Sequence, residues 1–234
     1  MRHGAVAYFP PGAEVPDARA VRLSEAGRAQ ADAAGDAFAR AGVRFDRVVA
    51  SSLPRTCETA ERVLARLAPS ARAPIEARDA LRELESGEDD PDGAPPATDD
   101  ASVRTLAARF TAPFEGEPDR STRFRGGESV GALLDRVVPE IERLAADPDW
   151  RVALWVLHGA VNRVVLSYAL NGARTLLAGF QQAPGCINAL DVAAERRHWL
   201  VRFVNHSPVD TLQPDARDST IETLFSQYLE HRRR

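Results

Sequence analysis

Asp46-Arg47-Val48-Val49-Ala50-Ser51-Ser52-Leu53-Pro54-Arg55 is the stretch that decides how this chain folds. Its first seven residues are a short run rich in β-branched side chains, the composition of a strand. From Leu53 the apolar spacing changes to that of a helix reaching Leu67, with Ala60, Val63, Leu64 and Leu67 on one side. A strand that passes directly into a helix is half of a βαβ unit, and the alternation recurs on either side.

Upstream, Ser24 stands where it can cap a helix that ends before Gly42. Alanines 26, 29, 33 and 37, with Phe38, give that helix one apolar face. Downstream, residues 87–100 mix Pro, Gly, Asp and Glu, as an exposed loop does. A helix is expected over 102–114, and irregular chain follows to Gly127. Ser129 opens the clearest helix, whose stripe is Val130, Leu133, Leu134, Val137, Val138, Ile141 and Leu144. Arg151 to Leu157 is an apolar run bounded by polar residues, a strand covered on both faces. His158-Gly159 ends it, and a helix follows over 161–170. Two further strands are expected at 186–192 and 199–204, and a terminal helix over 218–234.

Strands alternating with helices predict one α/β domain with a mostly parallel central sheet, a three-layer α/β/α sandwich. It is expected to span residues 1–206, with a lid or insertion at about 85–125 and a helical tail over 207–234. No internal repeat and no dividing linker occurs.

Composition narrows the function. With 234 residues, 44% of them hydrophobic, the chain can build a sizeable core, and a formal charge of -4 is mild. A nucleic-acid binder would show a basic excess. Its longest apolar stretch, residues 152–157, is too short for a membrane span. No basic-then-apolar leader opens it. Cytoplasmic location is therefore expected, with no nucleic-acid or membrane partner. Cys57 and Cys186 are too few for a disulfide framework and are expected as buried thiols. Oligomeric state is not encoded legibly.

In parallel α/β folds the working residues lie at the carboxyl ends of strands. Three polar places satisfy that rule: Arg2-His3-Gly4, Ser51 to Arg55, and His158-Gly159. Two histidines and two arginines would then converge on one crevice. Phosphoryl transfer needs this mixture. The charge of the transferred group is spread over three oxygens, which planar guanidiniums bind well. Neutral imidazole is a competent nucleophile, and an acid must protonate the leaving oxygen.

On these residues the chain resembles the histidine phosphatase superfamily, also called phosphoglycerate-mutase-like. Arg2-His3-Gly4 is similar to the family's RHG signature, and residues 23–31 resemble its "L-T-x-x-G-x-x-Q-A" helix opening. Ser51 to Ala60 resembles the "S-x-L-x-R-x-x-x-T-A" segment, Leu81-Arg82-Glu83 with Gly87 the stretch that carries the acid, and Gly126-Gly127-Glu128-Ser129 the "G-G-E-S" helix start. The resemblance implies that His3 is phosphorylated, that Arg2, Arg55 and His158 hold the phosphoryl oxygens, and that Glu83 is the acid. Neither cofactor nor metal is implied. The expected activity is metal-independent hydrolysis of small phosphorylated metabolites, such as sugar phosphates.

Glu85 is the main rival to Glu83, within an acidic run that also includes Asp79, Glu88, Asp89 and Asp90. Glu128 reads as a first-turn helix residue. Arg120, Arg123 and Arg125 read as a solvated basic patch, or as contacts to a second anionic group. Mutases of the family carry "E-R-H-Y-G" around the acid, whereas Glu83-Leu84-Glu85-Ser86-Gly87 stands here, which favours water as acceptor. The alternatives are a phosphoglycerate-type phosphomutase and a non-catalytic phosphate-binding or regulatory protein. Family members carry a buried strand before the triplet. Only Met1 precedes it here, so a start codon further upstream is expected, and His3 is expected to lack support without that strand.

Overall fold

The computed structural model describes residues 1–10, 16–87, 100–193, 198–210 and 219–232. Along the chain run α1 (Glu25–Arg40), β1 (Arg47–Ser51), α2 (Pro54–Ala65), β2 (Ile75–Arg78), α3 (Asp100–Thr111), α4 (Val130–Ala146), β3 (Ala153–Val156), α5 (Gly159–Asn171), β4 (Ile187–Val192), β5 (Trp199–His206) and α6 (Thr220–Arg232).

Three strands form a parallel sheet in the order β2-β1-β3. Val48 lies opposite Ile75 and Leu154, and Ala50 opposite Ala77 and Val156. Successive strand side chains point to opposite faces. Val48 and Ala50 accordingly enter a core with Ala34, Ala60, Val63 and Leu64 of α1 and α2. Val49 enters the other, with Leu133, Val137 and Ile141 of α4 and Val161 and Val164 of α5. Helices thus cover both faces, giving the expected α/β architecture.

Two features depart from the sequence reading. β2 was not anticipated, because Ile75-Glu76-Ala77-Arg78 has little apolar content. It is an edge strand whose Glu76 receives two hydrogen bonds from Arg47, at 2.8 and 2.9 Å. β4 and β5 do not extend the parallel sheet but pair with each other antiparallel.

The start of the chain also corrects an expectation. Leu157 N donates to Met1 O at 2.8 Å, His3 N donates to Leu157 O at 2.9 Å, and Arg2 N donates to Cys186 O at 2.9 Å. Met1 to His3 therefore lie between the end of β3 and the approach to β4, so the described fold gives His3 direct backbone support.

α1 holds this segment from the other side. Ser24 Oγ donates to Ala5 O at 3.0 Å and accepts from Gly27 N at 3.1 Å. Gln30 Oε1 accepts from Ala5 N at 2.8 Å. Gly4 and Gly27 pack backbone to backbone: a Cβ on Gly4 would lie 2.2 Å from Gly27 O, and one on Gly27 would lie 2.0 Å from Ala5 O. α2 adds Thr59, whose Oγ1 accepts from Gly4 N at 3.1 Å. The Ser, Gly, Gln and Thr of the two helix openings act here as clamps on the residues flanking His3.

Candidate active site

The carboxyl ends of β1 and β3 bring Ser51 and His158 to the same edge of the sheet as His3. The His3 and His158 rings are buried and meet edge to face, with centroids 5.1 Å apart and planes at 66°. His3 Nδ1 lies 2.6 Å from Gly4 O. A carbonyl oxygen can only accept, so Nδ1 carries the proton and Nε2 keeps its lone pair. Burial, then the charges of Arg55 and Arg2, holds His3 well below the ordinary histidine pKa. Burial leads for His158 too, followed by Arg55, His3 and Arg2. Both rings are therefore neutral at pH 7.

His158 Nε2 lies 2.7 Å from Ser51 Oγ, which is 2.9 Å from Thr56 Oγ1. Thr56 Oγ1 in turn donates to the backbone at Leu53 O, 2.7 Å away. His158 Nδ1 is buried without a hydrogen-bond partner. Such an orphan is costly unless something fills the crevice and satisfies it.

Arg2 and Arg55 are buried as well, at 8% and 3% exposure. Arg2 Nη1 donates to Gln182 O and, at 2.7 Å, to Thr220 Oγ1. Arg55 Nη1 donates to Ala18 O at 2.9 Å, and its guanidinium carbon lies 5.8 Å from the centre of the Tyr8 ring. Among the described residues neither pairs with a carboxylate. Their Nε atoms are buried and unpartnered. A buried cation without a counter-ion is unfavourable, so the arrangement is one that a bound anion completes.

Glu83 reaches the start of α5, where Ala160 N donates to its two carboxylate oxygens at 3.2 and 3.3 Å. Arg2, Glu83, Gly159, Ala160 and Arg163 line one cavity of about 270 Å³, with Phe114 on its wall. Of the five residues named from the sequence, Arg2 and Glu83 line that cavity, whereas His3 and His158 pack against each other and feel the charges of Arg2 and Arg55. Glu85 does not line that cavity. It pairs with Arg19 at 3.3 Å and Arg82 at 3.5 Å, which favours Glu83 as the acid. Glu88, Asp89 and Asp90 lie outside the described residues.

Other readings change. Glu128 precedes the helix cap Ser129 instead of lying in the first turn of α4, and its carboxylate pairs with Arg136. Arg120 pairs with Asp135 at 2.6 Å, and Arg123 Nη1 donates to Gly127 O at 2.7 Å. Arg125 stacks on Phe110 and Tyr228, its guanidinium carbon 5.0 and 4.9 Å from the ring centres. None of the three lines the cavity, and each is engaged by the protein. The sequence reading did not single out Arg163, Gln182 or Thr220. Arg163 could have been found one helical turn beyond Gly159, on the face that carries His158-Gly159.

Cys57 and Cys186 are free thiols, Cys186 buried and Cys57 half-buried. Among the described residues no group of three or more His, Cys, Asp or Glu side chains could hold a metal ion. No described helix is long and apolar enough to cross a membrane.

Comparison with known proteins agrees with this geometry. A family model described as histidine phosphatase superfamily (branch 1) matches residues 1–206. No curated protein sequence matches the chain. Among solved structures, the α-ribazole phosphatase of Shigella flexneri is similar at 22% identity and a TM-score of 0.64, covering 88% of this chain and 94% of that one. A mycobacterial glucosyl-3-phosphoglycerate phosphatase with inorganic phosphate is similar at 23% identity and a TM-score of 0.63, covering 88% and 95%. A mycobacterial hydrolase shares 22% identity at a TM-score of 0.62, covering 97% and 94%. At these identities the solved structures establish the fold alone. The family model spans most of the chain, and with it the conclusion is direct: this protein belongs to the histidine phosphatase superfamily, branch 1.

Proposed function

We propose that the protein is a phosphomonoesterase that hydrolyses small phosphorylated metabolites through a phosphohistidine at His3, without a metal. The observation that carries the reading is the pair of buried, neutral imidazoles 5.1 Å apart beside two buried guanidiniums that have no carboxylate partner. The names of the similar solved structures, an α-ribazole phosphatase and a glucosyl-3-phosphoglycerate phosphatase, support hydrolysis of monoesters of small alcohols.

In the first half-reaction His3 Nε2 attacks phosphorus in line with the leaving oxygen. The N–P bond forms as the P–O bond breaks, and Glu83 passes a proton to the departing alcohol. Nδ1–H, held by Gly4 O, stabilises the positive charge that develops on the ring. Arg2, Arg55 and Nδ1–H of His158 bind the phosphoryl oxygens, with Ser51 donating to His158 Nε2 so that the ring proton sits on Nδ1. In the second half-reaction Glu83 takes a proton from water, the water oxygen attacks phosphorus, and the N–P bond breaks to release phosphate.

Residues 111–115 and 219–222 act in this reading as part of the cover of the site. Thr111 and Phe114 from the first, and Ser219 to Glu222 from the second, supply part of the cavity wall.

The test is hydrolysis of p-nitrophenyl phosphate in the presence of a chelator, with His3→Ala alongside. Turnover that survives chelation, is lost in the variant, and leaves phosphate on His3 in rapid-quench mass spectrometry is expected. A folded wild-type protein that releases no phosphate refutes the reading. Phosphate exchange between phosphoglycerates with little release would indicate a mutase.

A further inference from the structure

The wall of the cavity contains a third guanidinium that the scheme above leaves idle. Arg163, in the second turn of α5, donates through Nε to Ala178 O at 2.9 Å and through Nη1 to Gly159 O at 3.0 Å. Its guanidinium carbon lies 5.5 Å from the centre of the Phe114 ring. Both hydrogen bonds go to neutral carbonyls, and no carboxylate lies within ion-pair distance of it among the described residues. Among the described residues Nη2 has no hydrogen-bond partner. Burial, reinforced by the charge of Arg2, pulls this side chain down to about 10. Most other arginines with described partners pair with acids, so an enclosed, unpaired one beside the candidate site calls for a reason.

Its position supplies one. A Cβ placed on Gly159 would lie 3.4 Å from Arg163 Nη1, 3.6 Å from Glu83 Oε2 and 3.7 Å from the guanidinium carbon of Arg2. Arg163 and Glu83 therefore bracket the same point of the cavity floor with opposite charges. Arg163 thus adjoins Glu83, the acid assigned to the leaving alcohol, with Arg2 beside the same point. Two further carboxylates, Glu115 and Glu222, line the cavity. The positive end of α6, which also faces it, is already capped within the helix. Ser219 N donates to Glu222 Oε2 at 2.6 Å, and Glu222 N donates to Ser219 Oγ at 3.3 Å. Hydrogen bonding from the Ser219 backbone, then from its side chain, holds Glu222 below the usual carboxylate range, so it is ionised at neutral pH.

We propose that Arg163 is a substrate-selecting residue: Nη2 hydrogen-bonds hydroxyl oxygens of an uncharged alcohol, while its charge offsets Glu83, so that the pocket takes one phosphate group and not two. The inference rests on the phosphatase reading above. With Glu83 offset, the charges of Arg2 and Arg55 are left to the phosphoryl group. A second phosphate would meet Glu115 and Glu222, which line the same cavity. The substrate class is then a monophosphate of a hydroxylated alcohol, as sugar monophosphates are.

Calorimetry on His3→Ala protein, which binds without turnover, tests this with three probes: inorganic phosphate, fructose 6-phosphate and fructose 1,6-bisphosphate. The monophosphate is expected to bind more tightly than the bisphosphate. Adding Arg163→Gln should weaken fructose 6-phosphate about tenfold, the loss of one charged hydrogen bond, with a smaller change for inorganic phosphate. Arg163→Lys should recover part of that loss, keeping the charge without the fork. Equal or tighter binding of the bisphosphate overturns the proposal, as does an unchanged monophosphate affinity in an Arg163→Gln protein of unaltered melting temperature. Failure of inorganic phosphate to bind would remove the active-site reading as well. Phosphate binding with Arg163 indifferent would remove this inference alone.

Discussion

Arg136 grips Glu128 with two hydrogen bonds, Nε to Oε1 at 2.7 Å and Nη2 to Oε2 at 2.8 Å, while turning its remaining donors to the chain that carries Glu83. Nη1 donates to Ala80 O and Arg82 O at 2.8 and 2.7 Å, and Nη2 to Glu83 O at 3.0 Å. One side chain therefore ties α4 to three backbone carbonyls, of Ala80, Arg82 and Glu83, beneath the candidate acid. Glu128 completes the clasp by accepting from Glu85 N at 3.2 Å. Arg136→Met should loosen Glu83 without touching His3. Protonation of the leaving group matters most when that group is a poor one. Turnover of an alkyl phosphate should fall about a hundredfold, and that of p-nitrophenyl phosphate less than about tenfold, within the usual range of acid–base contributions. Equal losses on both substrates would show that the clasp does not act through Glu83.

The two buried imidazoles also make stability depend on pH. Both are held well below the ordinary value of 6.5 in the fold, whereas they recover it on unfolding. Below about pH 6.5 the unfolded chain binds protons that the native state refuses, so stability falls as pH falls. Each histidine adds a slope of about 1.4 kcal/mol per pH unit across that window. The buried amino group of Met1, pulled down from 8.0 to about 6 by burial, adds a slope of the same sign at somewhat higher pH. Urea unfolding between about pH 7.5 and 5.5 should show the decline, and His3→Ala should lose about one histidine's share of it. An identical slope in the variant would mean that His3 is protonated in the folded protein.

Much of this site was legible because its parts lie where strands meet helices, and each carries a local signal. The apolar run 151–157 ends one residue past β3, with His158 capping α5 directly after it, and Ser51 closes β1. What could not be read was anything fixed by contact alone. Ile75 to Arg78 has no strand pattern of its own and becomes β2 by pairing with β1. Arg125 looks like any exposed arginine until Phe110 and Tyr228, over a hundred positions apart, place their rings on it. The support expected from a strand before the triplet comes in part from backbone bonds of Met1 to His3, and no composition rule reveals that. The wall contributed by α6 escaped for the same reason, since Thr220 reaches Arg2 across 218 positions of sequence.

Ser51 offers a sharper test of how His158 is set. Among the described residues its hydroxyl is the only hydrogen-bond partner of the His158 ring, at 2.7 Å from Nε2. Ser51→Ala removes that bond and leaves Thr56 Oγ1 with its own backbone acceptors, Ser51 O at 2.9 Å and Leu53 O at 2.7 Å. The fold should therefore survive, while the proton on His158 is no longer directed to Nδ1. Activity on p-nitrophenyl phosphate is expected to fall about tenfold, the scale of one lost hydrogen bond to a charged group. Nitrogen NMR of the imidazole should show the tautomer shift. Full activity in the variant would mean that Ser51 does not orient the ring.

Gly27, in the first turn of α1, and Gly42, just past its end, separate close packing from backbone freedom. Gly27 has no room for a methyl group: its Cβ would lie 2.0 Å from Ala5 O and 2.7 Å from Ala5 N, both rigid backbone atoms. Gly42 has nothing within 4 Å of such a Cβ but adopts a φ of +66°. Gly42→Ala should therefore weaken the fold by about 1–2 kcal/mol, the strain of a left-handed residue, with activity unchanged. Gly27→Ala must push α1 away from the residues next to His3. It should lower stability by about 1–3 kcal/mol, as overpacking does, and lower activity as well, because Ala5 and Gly4 cannot move without moving the nucleophile. Unfolding by urea and hydrolysis of p-nitrophenyl phosphate, measured on both variants, distinguish the cases. If Gly27→Ala behaved like Gly42→Ala in both measurements, the contact between α1 and the stretch around His3 would not be what positions that histidine.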